Sequence, residues 1–141
     1  MAGTRQQEGS YRGLTLPAGT RLTPQRRAVL DTIETSDGRF TALDLFERAR
    51  RSSPQLGLAT IYRTLDLLRE TGSLHALSGE GRPAYVRCSP KHHHHLVCLS
   101  CGSVEDTVLC ATPSQRSLSR RHGFRAESHE LEIYGTCKRC S

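Results

Sequence analysis

Cys98-x-x-Cys101 and Cys137-x-x-Cys140 bracket the last third of the chain, and four consecutive histidines, His92 to His95, stand just ahead of the first pair. Each Cys-x-x-Cys presents two thiolates from one tight turn. Two such turns make the four-sulfur tetrahedron that structural Zn²⁺ takes. The spacing therefore marks Cys98, Cys101, Cys137 and Cys140 as ligands of a structural zinc. The neighbouring imidazoles offer a second kind of ligand within a few residues. The competing reading is a thioredoxin-like redox pair, but two pairs occur together with a histidine cluster, and no βαβ pattern precedes them.

Other chemistries are poorly represented. Neither H-E-x-x-H nor a nucleophile elbow occurs, so the chain is expected not to be an enzyme. No apolar run is long enough to span a bilayer, and the polar stretch Met1 to Ser10 lacks the apolar centre of a signal peptide. A cytoplasmic address is expected, where thiols stay reduced. The net charge of +6 is unevenly placed: residues 1–88 hold 13 arginines against 9 acids, and residues 89–141 hold 7 basic against 5 acidic side chains. Four zinc-bound thiolates would bring the second part to about zero. The surplus then belongs to the first part, around Arg21, Arg26, Arg27, Arg48, Arg50 and Arg51. It suits either a polyanion such as nucleic acid or an ordinary solvated face.

Local signals define the elements that must position these groups. Thr23 is a helix N-cap and Pro24 suits the first helical position, with Val29, Leu30 and Ile33 at helical spacing and Ser36-Asp37-Gly38 closing the segment. Thr41 and Asp44 form a capping box ahead of an apolar stripe of Ala42, Leu45, Phe46 and Ala49. A third helix spans Leu58 to Glu70 with Gly72 past its end; Ile61, Leu65 and Leu68 face inward, and Thr60, Arg63 and Thr64 lie on or near the other side. Strand-like pieces Leu74–Leu77 and Ala84–Arg87 follow, joined through Ser78 to Pro83. Three short helices and a hairpin are the layout of a winged helix-turn-helix, whose third helix enters the DNA major groove. Met1 to Pro17 carries no assignment and is open to disorder. Cys88 to Lys91 reads as a hinge. Beyond it, strands are expected at His93–Leu99, Val104–Leu109 and Arg125–Tyr134, with a helix opened by Thr112-Pro113 and closed by His122-Gly123. His122 fits a cation at a helix C-terminus. The fold class is therefore α+β: a winged-helix domain (1–87), a hinge (88–91) and a small α/β domain (92–141) expected to dimerise.

Gly57-Leu58-Ala59-Thr60-Ile61-Tyr62-Arg63-Thr64-Leu65 and His92-His93-His94-His95-Leu96-Val97-Cys98-Leu99-Ser100-Cys101-Gly102 closely resemble the ferric-uptake-regulator (Fur) family. The resemblance runs from about Leu22 to Cys140. It implies a metal-sensing transcriptional regulator that binds operator DNA as a homodimer. Iron and peroxide sensors of the family use a histidine just before the second helix, where this chain has Arg39. The zinc-uptake-regulator (Zur) branch instead implies His75, Cys88, His93 and His95 as the ligands of a regulatory zinc. On a strand His93 and His95 share a face, and one thiolate with three imidazoles suits Zn²⁺ over Fe²⁺ or Mn²⁺. His92 and His94 project to the opposite face and, with His129, resemble a third family site. Its usual fourth ligand is a glutamate, and a gap-free count lands on Thr112. Cys110 is one candidate substitute; a buried, inert cysteine is the other account. Asp106 matches a bridging or outer carboxylate of the family, or is simply an exposed acid.

For DNA, Tyr62 and Arg63 are the candidates on the third helix, because Arg reads guanine bidentately and an aromatic ring touches a thymine methyl. Thr60 and Thr64 are expected at phosphate or base edges. Arg21 resembles a family cation that reaches a narrow minor groove. The resemblance implies repression of zinc-uptake genes by the zinc-loaded dimer. Two alternatives stay open: another metal or peroxide sensor of the same family, and a zinc-ribbon interaction module that does not bind DNA.

Overall fold

The computed structural model describes residues 9–79, 82–88 and 91–141. The chain divides into two compact units, Met1–Pro90 and Lys91–Ser141. Residues 1–8, the hairpin-tip residues 80–81 and the hinge residues 89–90 lie outside the described residues. No helix among the described residues is long and apolar enough to cross a membrane.

The first unit opens with a hairpin that the sequence left unassigned and open to disorder. Strands β1 (Gly9–Tyr11) and β2 (Leu14–Leu16) pair antiparallel. Arg12 and Gly13 form the two-residue turn, both at positive φ (46° and 81°), as a type I′ connection demands. Burial explains why the hairpin is ordered. Leu14 and Leu16 enter the main core, and burying such side chains contributes about 1.5–3 kcal/mol each. The Tyr11 hydroxyl donates to Asp31 at 2.8 Å, and the Thr15 amide donates to Ser73 Oγ at 2.8 Å.

Helix α1 (Pro24–Glu34) starts as its caps dictate: the Thr23 hydroxyl accepts from the Arg26 amide. After the short strand β3 (Phe40–Thr41), helix α2 (Ala42–Ala49) carries the reciprocal capping box, Asp44 N–H to Thr41 Oγ1 and Thr41 N–H to Asp44 Oδ2. Helix α3 (Leu58–Glu70) buries Ile61, Leu65 and Leu68 completely, and Gly72 takes the left-handed conformation (φ 76°) past its end. These three helices pack with Leu30, Ile33 and Leu45 into one core. Strands β4 (Leu74–Leu77) and β5 (Ala84–Arg87) form the expected antiparallel hairpin, and β3 adds to the other edge of β5, giving the order β3-β5-β4. This is a winged helix-turn-helix.

The second unit is thinner. Strand β6 (His94–Cys98) is central, with β7 (Val104–Thr107) antiparallel on one side and β8 (Glu132–Gly135) parallel on the other. A parallel neighbour needs a crossover, and helix α4 (Gln115–His122) lies within it, capped by Ser114 and closed by Gly123 at φ 61°. The strand expected over Arg125–Tyr134 is mostly unpaired. β6 offers only five residues, so pairing begins where His95 N–H reaches Leu131 O. Among the described residues of this unit the buried apolar side chains are Val97 and Cys98. Burial at about 1.5–3 kcal/mol per side chain cannot offset about 1–2 kcal/mol of backbone entropy per ordered residue. The unit therefore needs stabilisation from outside its own core.

Candidate metal centres and nucleic-acid interface

The two Cys-x-x-Cys turns converge. Cys98 ends β6 and Cys101 follows one turn later, held by Gly102 N–H to Cys98 O (3.0 Å). The C-terminal turn repeats the device with Cys140 N–H to Cys137 O (2.9 Å). The pairing of β6 with β8 brings the turns together, and the Cys137 amide points at Cys98 Sγ, 3.3 Å away. All four sulfurs lie within 4.8 Å of one another. Cys101 and Cys137 are 3.8 Å apart at sulfur, far beyond an S–S bond and about the edge of a tetrahedron with 2.3 Å zinc–sulfur bonds. The backbone amides of Cys101 and then Cys137 hold the Cys98 thiol down to about 6. Cys140 is pushed up to about 12 because Cys137 and then Cys101 draw on its proton. Four sulfurs crowded this closely are a donor set that a dication would complete.

The strand expected from His93 begins at His94, so His92 and His93 lie just ahead of β6, yet the four histidines still sort into two alternate pairs. His93 and His95 face each other with ring centroids 4.9 Å apart. His93 Nδ1 lies 2.6 Å from Lys91 O and His95 Nδ1 lies 2.9 Å from Asp106 Oδ1. Both acceptors fix the proton on Nδ1 and leave Nε2 with the lone pair a metal uses. His93 Nε2 is buried without a hydrogen-bond partner, which fits a metal-facing atom. In the first unit, Cys88 continues the β4–β5 ladder through its amide to Ser73 O (2.9 Å). His75 sits on β4 opposite Val86, half-buried.

His92 and His94 meet His129, with centroids 4.7 to 5.1 Å apart. Cys110 joins them, its sulfur 3.3 Å from His129 Nε2, and the four donor atoms lie within 4.8 Å of each other. The account of Cys110 as a buried, inert thiol is corrected: its side chain is exposed. The Thr112 hydroxyl, 2.9 Å from the sulfur, is the chief reason that the Cys110 thiol is held down to about 5. Thr112, where the count had landed, thus supports Cys110. His122 is exposed in the last turn of α4, as read.

On the first unit, Tyr62 (49% exposed) and Arg63 project from α3, and Thr60 is half-exposed. Arg21 is exposed ahead of α1, its carbonyl accepting from Arg26 Nη1 at 2.6 Å. Thr64 is corrected. It is fully buried, with its hydroxyl bonded to Thr60 O at 2.8 Å, so it cannot reach a phosphate or base edge. Sequence reasoning missed the surroundings of Tyr62: Leu43, Leu58, Arg82, Pro83 and Tyr85 share a concave surface with it. The hairpin's arginine and the proline after it were the signal available.

A model of the Ferric uptake regulator family matches residues 17–134. The "Zinc uptake regulation protein" of Mycobacterium tuberculosis is 43% identical over 129 residues, covering 87% of this chain and 96% of that protein. The "Ferric uptake regulation protein" of Campylobacter jejuni is 30% identical over 135 residues, covering 93% and 86%. Among solved structures, "Zinc Uptake Regulator Complexed With Zinc AND DNA" superposes with a TM-score of 0.65 at 30% identity, covering 85% of this chain and 83% of that one.

Proposed function

The chain belongs to the ferric uptake regulator family, and from that premise we propose that it is a zinc-responsive repressor acting as a homodimer on operator DNA. It is a transcriptional regulator and not an enzyme. What supports zinc as the signal is the donor chemistry: imidazoles sorted into two pairs at and just ahead of β6, of the kind that Zn²⁺ takes together with thiolates. The observation that carries the reading is the buried, unpartnered His93 Nε2 beside a His95 ring oriented by Asp106. The 43% identity to a zinc uptake regulation protein supports the same choice.

In this proposal Cys98, Cys101, Cys137 and Cys140 hold a structural Zn²⁺ that staples the second unit. His75 and Cys88 of the first unit and His93 and His95 of the second hold the regulatory Zn²⁺. When bound there, the cation would supply four short bonds linking the two units across residues 88–91. His93 and His95 reach it through Nε2 because Lys91 O and Asp106 hold their other nitrogens. The ordering of the units then sets the spacing of two α3 helices on half-sites about one DNA turn apart. Tyr62 and Arg63 read bases, Thr60 and Arg21 contact backbone or minor groove, and the surplus of arginine in residues 1–88 supplies the phosphate attraction.

Homodimerisation rests on the second unit. Its core is small; Ile133 on β8 is exposed, as are Leu99, Val108, Leu109 and Phe124 in the segments that follow β6, β7 and α4, and among the described residues β7 and β8 are the edges of the sheet. A cytoplasmic address follows from a DNA partner and reduced thiols. The test is zinc content per subunit measured together with operator binding, with zinc and with chelator. Equal operator affinity in both conditions would overturn the reading.

A further inference from the structure

The centre formed by His92, His94, His129 and Cys110 resembles the third family site in its histidines but differs in its remaining group. We propose that Cys110 is the fourth ligand there, and that the resulting one-thiolate, three-imidazole set selects a borderline cation, Zn²⁺ foremost, over hard Mn²⁺ and Mg²⁺. The inference deepens the metal-binding reading of the second unit and rests on it.

Three observations carry it. The first is convergence: side chains at and just before the start of β6, from the β7–α4 connection and from the segment before β8 bring one sulfur and three ring nitrogens within 4.8 Å. The second is burial without partners. His94 is 1% exposed, yet neither of its ring nitrogens has a hydrogen-bond partner. A neutral imidazole has one donor and one acceptor, and leaving a buried polar atom unsatisfied is rare in native proteins. A cation facing His94 would engage the nitrogen that carries the lone pair. The third is how the loop presents Cys110. Leu109 N–H bonds to Thr107 Oγ1 at 3.1 Å, which turns the chain just past β7, and the Thr112 hydroxyl contacts the Cys110 sulfur. The sulfur is thereby aimed at His129.

The change from a carboxylate to a thiolate keeps the ligand charge and alters its softness. Thiolates prefer zinc and softer ions, whereas carboxylates suit manganese and magnesium. A tetrahedron of one 2.3 Å bond to sulfur and three bonds of about 2.0–2.1 Å to nitrogen is the geometry zinc accepts without strain.

Thiol alkylation in the full-length chain tests this directly. Zinc-loaded and chelator-stripped protein are treated with N-ethylmaleimide, and the modified cysteine is identified by mass spectrometry. Cys110 is expected to react at least tenfold more slowly in the zinc-loaded protein. His129→Ala should restore its reactivity in the presence of zinc while Cys98, Cys101, Cys137 and Cys140 stay protected. Cys110→Ala should bind one zinc fewer per subunit, and saturating Mn²⁺ should leave Cys110 of the native chain reactive. Equal alkylation of Cys110 with and without zinc, or unchanged zinc content in Cys110→Ala, overturns the proposal. Neither result depends on operator binding, so failure of the regulator reading is separable from failure of this one.

Discussion

Asp106 Oδ1 stands 2.9 Å from His95 Nδ1, directly across the β6–β7 ladder where the two residues are register partners. The carboxylate is about half exposed and the imidazole nearly buried. A sheet register thus fixes which nitrogen of His95 keeps its lone pair.

That relationship predicts a graded loss. Asp106→Ala removes the acceptor and should weaken zinc binding at the regulatory centre by about 10- to 100-fold, the range seen when such outer partners are lost. Asp106→Asn keeps an acceptor oxygen and should lose less. Competition with a chromogenic chelator measures both. Equal affinities for Ala, Asn and native protein would show that the contact does not orient His95.

The DNA-facing side of α3 gives a contrasting pair. Tyr62→Ala and Arg63→Ala should each cost about 1–3 kcal/mol of operator affinity, read by fluorescence anisotropy at fixed salt. Thr64→Val should leave operator affinity unchanged, because Thr64 is fully buried. Its cost should fall on stability, about 1 kcal/mol for the lost hydrogen bond to Thr60 O, visible in urea unfolding. A drop in operator affinity for Thr64→Val without a drop in stability would contradict the burial argument.

These cases show where the sequence speaks clearly. The Thr23 and Thr41 caps and the Gly72 stop are local signals, readable because their partners lie within four residues. The β4–β5 hairpin was legible from its flanking turn residues. By contrast, β3 is two residues long and exists only through β5, so no local pattern marks it. The β1–β2 hairpin turns on Arg12 at positive φ, a conformation that arginine does not advertise, and its order comes from Leu14 and Leu16 meeting a distant core. Thr64 was misplaced although the signal was present: Ile61, Thr64, Leu65 and Leu68 follow the i, i+3, i+4, i+7 spacing of one face. At the metal centres, period-two alternation separates His93 and His95 from His92 and His94. The partner of the second pair depends on the path of the β7–α4 loop, which a residue count does not follow.

Loss of the structural centre should be severe. Cys98 is buried and receives the Cys137 amide, so Cys98→Ser removes a zinc ligand and the pin between β6 and the C-terminal turn. Structural zinc contributes about 10–16 kcal/mol of apparent binding energy in small domains, more than a core built on Val97 can replace. Far-ultraviolet circular dichroism should show the second unit losing structure, and sedimentation should show monomers. The first unit, with its own core, should keep its helices. A fully folded Cys98→Ser dimer without that zinc would refute the staple.

Cys88→Ser separates sensing from folding. Cys88 follows β5, its amide bonded to Ser73 O, and serine keeps that backbone bond while removing the thiolate. The variant should remain a folded dimer with the four-cysteine zinc in place, yet gain no operator affinity when zinc is added. In the native protein zinc should raise operator affinity by about 5- to 150-fold, the usual range of allosteric coupling. Linkage then requires operator DNA to raise zinc affinity by the same factor, because both routes join the same four states. Titrating zinc with and without operator measures the second route independently. Unequal factors would mean that the zinc being titrated is not the zinc that governs operator binding, and a full zinc response in Cys88→Ser would place the sensor elsewhere in the chain.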